Sequence, residues 1–129
     1  MKGKEYNAPL IKAAWVDDLR NPIDFLTNQS DFIGLHWLET YESGFKFVVR
    51  NAKVLERVHL DNDLSDAKDR QGYHIFNAIE RLVYQGKMPN LKEIIIHSDN
   101  ASAVKGMMTA KDIFRDRFGI VVRQVVYRK

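Results

Sequence analysis

The chain has 129 residues, of which 45% are hydrophobic and 29% charged, which is the composition of a folded globular protein and the length of a single domain (residues 1–129). It contains no cysteine, which excludes disulfide bonds, thiolate metal sites and a cysteine nucleophile, and which fits a cytoplasmic protein. The net charge of +3 is unevenly spread, because acidic residues outnumber basic ones in residues 1–70 and the reverse holds in residues 71–129.

This charge asymmetry has two interpretations. It could steer a phosphate-bearing partner towards an acidic site that holds a metal, or it could be a solvated surface whose charges are unevenly placed. The amino-terminal residues contain no apolar signal segment, and the apolar runs along the chain are too short to span a bilayer. We therefore expect neither secretion nor contact with a membrane.

Five apolar segments predict buried β-strands, and a high content of β-branched residues strengthens the prediction for the last two. In chain order the predicted strands are residues 10–16, 45–49, 57–60, 91–96 and 120–127.

Two segments between these strands predict α-helices, because their apolar residues recur at helical spacing. They cover residues 72–85 and 103–118, and each is followed by a glycine, which commonly ends a helix. Residues 23–44 carry no legible pattern. Strands that alternate with helices predict an α/β fold with a flavodoxin-like, doubly wound sheet of five parallel strands and helices on both faces.

Acidic pairs follow two of the predicted strands, at the edge where open parallel sheets bind their ligands. Asp17 and Asp18 follow the first strand, and Asp61 and Asp63 follow the third. Carboxylates gathered at one edge repel each other unless a cation lies between them, and their hard oxygen atoms favour Mg²⁺ or Mn²⁺. A lone aspartate more often caps a helix or forms a turn, but two pairs favour a metal site formed by Asp17, Asp18 and Asp61.

Three further polar residues belong to the same predicted edge. His97 and Ser98 follow the fourth strand, and Arg20 follows the first acidic pair. His97 could act as a general acid or base, while Ser98 and Arg20 could bind a phosphate. The alternatives stay open: a histidine hydrogen-bonded to backbone in a loop, and an arginine in a surface ion pair. The other histidines do not follow a strand in this way and are interpreted as structural: His36, His59 and His74.

The acidic pair, Asp61 and Ser98 together resemble a response-regulator receiver domain. In that family the three acids hold Mg²⁺, the third acid accepts a phosphoryl group, and the Ser or Thr contacts that group. The chain departs from this pattern in three ways. No Lys-Pro step follows the last strand, Asp63 stands two residues after Asp61, and His97 precedes the hydroxyl residue.

Those departures resemble a variant, the cyclic-phosphate processing receiver-like domain family. Residues 16–22, 59–64 and 96–100 are similar to family patterns that read approximately Leu-Asp-Asp-x-Arg-x-Pro, Leu-Asp-His-Asp-Leu and His-Ser-x-Asn. Asn62 stands where the family has a histidine. The resemblance implies a receiver fold, the processing of cyclic phosphate ends in RNA repair, and functional roles for Asp17, Asp18, Arg20, Asp61, Asp63, His97, Ser98 and Asn100.

These observations lead to a first hypothesis, a metal-dependent phosphoesterase that acts on a cyclic phosphate at an RNA end or in a small cyclic nucleotide. The acidic triad would hold Mg²⁺ or Mn²⁺, His97 and Asp63 would be catalytic, and Arg20, Ser98 and Asn100 would bind the phosphate. The alternative is a receiver-like module without catalysis that binds a metal and a phosphorylated ligand, a nucleotide or a protein partner. A protein that sequesters a nucleotide in the same pocket is a third hypothesis. Metal-dependent turnover would separate the first from the other two.

Overall fold

A computed structural model describes residues 10–126 of the chain. Its centre is a sheet of five parallel strands in the order β2-β1-β3-β4-β5, which is the flavodoxin-like order. The predicted fold class is therefore confirmed. The strands are β1 (Ala13–Val16), β2 (Leu35–Leu38), β3 (Arg57–Leu60), β4 (Glu93–Ile96) and β5 (Val121–Gln124). β5 ends at Gln124, before the predicted end of the last strand at residue 127, which itself lies outside the described residues.

The predicted strand at residues 45–49 is wrong, because these residues lie in the helix α1 (Tyr41–Arg50). Its buried residues Tyr41, Gly44 and Val48 recur at intervals of three and four, which is helical spacing. The five-residue apolar run is part of that helical face, and a threonine N-cap with a capping box starts the helix just before it.

The second strand, β2, lies instead in the segment 23–44, where the sequence showed no pattern. It is an edge strand of four residues, all of them only half-buried, with His36 in its middle. So short an edge strand gives almost no periodic signal, because each of its faces carries only two residues.

Of the two predicted helices, the one at residues 72–85 is confirmed as α2, and the one at residues 103–118 is interrupted. Residues 103–118 form two helices rather than one, since the chain turns at Thr109 and Ala110 between them. Two short 3-10 helices, at Pro22–Asp24 and Gln29–Phe32, connect β1 to β2. The α-helices are α2 (Gly72–Tyr84), α3 (Ala101–Met108) and α4 (Lys111–Phe118).

Helices lie on both faces of the sheet, but the two faces differ. The four α-helices share one core with alternate strand residues such as Val16 and Leu60. The intervening residues point to the other face, where the connection with the 3-10 helices covers them. On that face the indole N–H of Trp15 donates to the carbonyl oxygen of Arg20 at 2.7 Å, and Arg57 donates to the carbonyl oxygen of Asp31 at 2.6 Å.

The start of α2 lies directly against the end of β3, and Gly72 makes this possible. A Cβ on Gly72 would overlap the carbonyl oxygen of Asp61 and lie 2.9 Å from the Cα of Asn62. The amide of Gly72 also donates to the carbonyl oxygen of Asn62 at 2.8 Å.

We expect Gly72→Ala to destabilise the protein by about 1–3 kcal/mol, because backbone rather than a flexible side chain must move to admit the methyl group. The matched control is Gly106→Ala in α3, where a Cβ would meet no atom within 4 Å. That change should raise stability by about 0.5–1 kcal/mol through helix propensity. Urea denaturation of both variants tests this pair, and equal stabilities would contradict it.

Candidate active site

Strand register brings the predicted site residues to one edge of the sheet. Val16 pairs with Leu60, and Leu60 pairs with Ile96, so the residues that follow them are neighbours. These are Asp17, Asp61 and His97, and all three are buried. Two helices, α2 and α3, begin at the same edge, after β3 and β4.

Three carboxylates form an acidic cluster at this edge. One oxygen from each of Asp17, Asp18 and Asp61 lies within 4.8 Å of the other two. The Oδ1 atom of Asp18 is buried and accepts no hydrogen bond from any residue in the described range 10–126. A buried carboxylate oxygen without a donor, beside two other carboxylates, is a suitable ligand for a hard divalent cation. These three residues could therefore hold a metal ion.

Asp17 is the most firmly held of the three. Its Oδ1 atom accepts the amide hydrogens of Leu19 and Arg20, both at 2.9 Å, and its Oδ2 atom lies 3.0 Å from Nδ1 of His97. Burial alone would raise the pKa of Asp17, but the hydrogen bonds from His97, Arg20 and Leu19 lower it below its usual value. Asp17 is thus ionised and fixed in direction before any ligand binds.

Asp61 has the opposite electrostatic balance. Burial, together with the neighbouring charges of Asp17 and Asp18, raises the pKa of Asp61 to about 7, and Arg20 opposes this rise. The negative charges of the cluster are not fully compensated by positive groups. Asp61 therefore retains its proton up to neutral pH. A bound cation would stabilise the ionised form of Asp61.

The guanidinium of Arg20 compensates part of the negative charge of the acidic cluster. Its Nη1 atom lies 3.3 Å from Oδ2 of Asp17 and 3.7 Å from Oδ2 of Asp61, with only 20% of the side chain exposed. The alternative of a surface ion pair does not describe this contact, because the guanidinium bridges two site carboxylates. Arg20 is an internal counter-ion that stands beside the candidate metal position.

We expect Arg20→Ala to raise the affinity for Mg²⁺ by about tenfold at pH 8, because a cation then meets no competing guanidinium. Titration calorimetry with MgCl₂ measures the change. The matched control is Arg50→Ala, an exposed arginine at the far end of α1, which should leave the affinity unchanged. An Mg²⁺ affinity that is unchanged or weaker in Arg20→Ala would contradict the counter-ion role.

His97 is enclosed by the fold rather than open to solvent. Its side chain has no exposed surface, and its ring stacks on that of Trp15 with centroids 4.5 Å apart. Burial lowers the pKa of His97 and the adjacent Asp17 opposes the shift, so the imidazole is neutral near pH 7 and donates from Nδ1 to Asp17. The geometry therefore connects His97 to the acidic cluster through Asp17.

A second buried histidine, His59, packs behind the first. The centroids of the His59 and Trp15 rings are 4.8 Å apart, and Nε of Arg57 donates to Nε2 of His59 at 2.8 Å. Burial and the charge of Arg57 lower the pKa of His59 to about 2, so it is neutral and structural, in line with the sequence interpretation. Counting alternate residues along β1 and β3 could have placed His59 beside Trp15 from the sequence alone.

Ser98 and Asn100 organise the start of α3. The hydroxyl oxygen of Ser98 accepts the amide hydrogen of Asn100 at 3.0 Å, and the side-chain oxygen of Asn100 accepts the amide hydrogen of Ala103 at 3.1 Å. Asn100 is thus the N-cap of α3. Gln124, at the end of β5 and missed by the sequence analysis, donates from Nε2 to the carbonyl oxygen of Ser98 at 3.1 Å.

Asn62 and Asp63 lie outside the acidic cluster. Asn62 is buried and points towards α2, where its Oδ1 atom accepts the amide hydrogen of Tyr73 at 3.0 Å and its Nδ2 atom donates to Oε1 of Gln71 at 2.8 Å. Asp63 is exposed, with Oδ1 at 3.4 Å from Nδ2 of Asn62. Asn62, which stands where the family pattern has a histidine, therefore supports the start of α2 in this chain. Asp63 lies at the exposed rim of the site.

Comparison with known protein families gives a match over most of the chain. A family model described as the cyclic-phosphate processing receiver domain matches residues 13–112, which include every site residue predicted from the sequence. No curated protein and no solved structure matches the chain. Among the helices of residues 10–126, none has the length and apolar character required to cross a membrane.

Proposed function

The chain belongs to the family of cyclic-phosphate processing receiver domains, and from this premise we propose that it is a metal-dependent phosphoesterase. Its substrate class is a cyclic phosphate, either at an RNA end or in a small cyclic nucleotide, in RNA repair or in the processing of a nucleotide signal. The observation that carries the proposal is the convergence of three carboxylates and one guanidinium at the carboxyl edge of the sheet.

The donor set suits Mg²⁺ or Mn²⁺, because it consists of carboxylate oxygens with no sulfur or exposed imidazole among them. Asp17, Asp18 and Asp61 would hold the ion, and the unpartnered Oδ1 atom of Asp18 supports this assignment. When bound, such an ion supplies positive charge to phosphoryl oxygens and polarises a water molecule.

The phosphate would lie between Arg20 and the start of α3. Arg20 can turn from its two carboxylate partners to phosphoryl oxygens once a cation neutralises those carboxylates. At the N-terminus of α3, Ser98 offers its hydroxyl group and Asn100 its side-chain amide. Backbone N–H groups at a helix N-terminus also favour anions. This pairing provides one mobile and one fixed contact for the phosphate.

Opening the ring is a hydrolysis. A water oxygen forms a bond to phosphorus, one of the two ester P–O bonds of the ring breaks, and a proton ends on the leaving oxygen. Asp63, an exposed carboxylate in the loop after β3, is proposed as the residue that carries a proton in this step. That His97 itself transfers a proton stays a prediction, and its burial against Asp17 favours a positioning role through that carboxylate.

The test is to incubate the purified protein with nucleoside 2′,3′-cyclic phosphates and with RNA that ends in a cyclic phosphate, and to separate the products by chromatography. We expect Mg²⁺- or Mn²⁺-dependent opening to a monoester, which EDTA and Asp18→Asn abolish. The matched control is Asp24→Asn, an exposed aspartate in the first 3-10 helix, which should retain full activity. Turnover that persists in EDTA would contradict the metal-dependent mechanism.

One observation favours a second candidate function, a receiver-like module that binds a metal and a phosphorylated ligand, nucleotide or protein without catalysis. Asn62 replaces the histidine of the family pattern, and its amide is committed to hydrogen bonds at the start of α2. Binding of a cyclic nucleotide in Mg²⁺ without any turnover would support this module, or a protein that sequesters the nucleotide, over the phosphoesterase.

A further inference from the structure

A groove of about 430 Å³ runs between α2 and α3, beside the candidate active site. Gln71 and Asn100 line one end of it, and Glu80 and Ala110 line the other. Because α2 and α3 both begin at the carboxyl edge of the sheet, the end at Gln71 and Asn100 is the one that meets the site. The groove volume falls within the range of pockets that bind small molecules, roughly 300–1,000 Å³.

Hydrogen bonds link the residues at that end of the groove to residues of the site. The side-chain oxygen of Gln71 accepts from Asn62, the residue after Asp61, and the amide of Asn100 donates to the hydroxyl oxygen of Ser98. A ligand whose phosphate lies near Ser98 therefore has its remaining atoms at the mouth of the groove.

The lining of the groove combines an aromatic ring, an apolar floor and free polar groups. The ring of Tyr73 stacks on that of His74 with centroids 4.0 Å apart, and Tyr73 is still 38% exposed, so a ligand at the mouth would meet the part of the ring that His74 leaves open. Phe76 and Met107 are buried beneath. The side-chain amide of Asn77 and the hydroxyl of Ser102 are exposed and make no hydrogen bond to another residue in the described part of the chain. A ring for stacking together with unused donors and acceptors is what a nucleobase and its ribose require.

We propose that this groove is a nucleoside subsite, in which the base and ribose of the cyclic phosphate substrate contribute to its binding. The inference rests on the proposed function, because the phosphate must lie at the edge of the sheet for the base to reach the groove. A purely apolar occupant would leave the Asn77 and Ser102 groups unpaired, which costs binding free energy. The continuity with the phosphate position favours a nucleoside over a separate partner on the two helices.

Gly106 offers a way to fill the groove without touching the acidic cluster. It lies in α3 among the lining residues, and a Cβ there would meet no atom within 4 Å. Gly106→Leu should therefore fold and should occupy the space of the base. Gly106→Ala controls for the gain in helix propensity, and Lys105→Leu places the same side chain on a neighbouring exposed residue that does not line the groove.

The experiment compares three probes in Mg²⁺ by titration calorimetry: adenosine 2′,3′-cyclic monophosphate, methyl riboside 2′,3′-cyclic phosphate without a base, and inorganic phosphate. We expect the nucleotide to bind at least tenfold more tightly than the base-free riboside. Gly106→Leu should remove that preference, Gly106→Ala should reduce it only slightly because one methyl group fills little of the groove, and Lys105→Leu should keep it. Phosphate and Mg²⁺ affinities should be the same in all four proteins.

Equal affinities for the two cyclic phosphates in the unmodified protein, or a preference that survives in Gly106→Leu, would overturn the subsite. If the unmodified protein binds none of the three probes in Mg²⁺, the proposed function is overturned instead. The failure of the subsite and the failure of the proposed function therefore give different results. A fourth titration with a short RNA that ends in a 2′,3′-cyclic phosphate identifies the source of the nucleoside. Tighter binding than the mononucleotide indicates an RNA end, and weaker binding indicates a free nucleotide.

Discussion

Asp61→Asn is expected to have two opposite effects: it should abolish the response to Mg²⁺ and stabilise the metal-free protein at neutral pH. The neutral amide removes one of three clustered carboxylates, so a cation loses a ligand and much of the charge that attracts it. Mg²⁺ at 100 times its Kd should add about 2.7 kcal/mol to the stability of the unmodified protein, and nothing to the variant. Turnover, where measured, should fall by about 10²–10³-fold.

The gain in stability follows from the raised pKa of Asp61, about 7 in the folded protein against about 4 in an unfolded chain. Between these two values the folded state binds more protons than the unfolded state, so stability falls as the pH rises. Relative to Asp61→Asn, the unmodified protein should lose up to about 1.4 kcal/mol per pH unit between about pH 4 and pH 7. Urea denaturation in EDTA at pH 4.5, 6 and 7.5 measures this difference.

The matched control is Asp24→Asn, which removes an exposed aspartate and should show neither effect. An unchanged Mg²⁺ response in Asp61→Asn would remove Asp61 from the metal site. A constant difference in stability between pH 4.5 and 7.5 would show instead that the carboxyl group of Asp61 is ionised throughout this range, contrary to the electrostatics of the cluster.

The position of the site was accessible from the sequence because it depends on local signals. A short apolar strand followed directly by polar residues places those residues at the carboxyl edge of a parallel sheet, whichever strands are neighbours. Asp17, Asp61 and His97 meet for this reason, and the misassigned second strand did not disturb them, since β2 lies beyond β1 at the edge of the sheet.

The directions of the side chains were not accessible in the same way. Arg20 is a long side chain, and only the tertiary structure shows that it turns back to Asp17 and Asp61. Asn62 stands between two acids in sequence, yet its hydrogen bonds are made to α2, which approaches β3 only because Gly72 has no side chain. The burial of His97 depends on Trp15 of β1, which lies two strands away from β4 in the sheet and three strands earlier in the sequence.

The role of His97 is tested by two substitutions that remove the imidazole in different ways. His97→Ala deletes the donor to Oδ2 of Asp17 and leaves a cavity beside Trp15, so it should destabilise the protein by about 2–5 kcal/mol. Without that hydrogen bond the pKa of Asp17 should rise and Mg²⁺ should bind more weakly. His97→Asn keeps an N–H donor near the position of Nδ1 but cannot act as an acid or base near pH 7.

We expect His97→Asn to recover most of the Mg²⁺ affinity and of the turnover that His97→Ala loses, because His97 acts by holding Asp17 in its ionised form and fixed direction. Mg²⁺ titration and single-turnover rates on a cyclic nucleotide supply the two readouts, and His36→Asn on the edge strand β2 is the matched control. If His97→Asn binds Mg²⁺ normally but turns over roughly 10²–10⁴ times more slowly, His97 transfers the proton itself, and the positioning role is wrong.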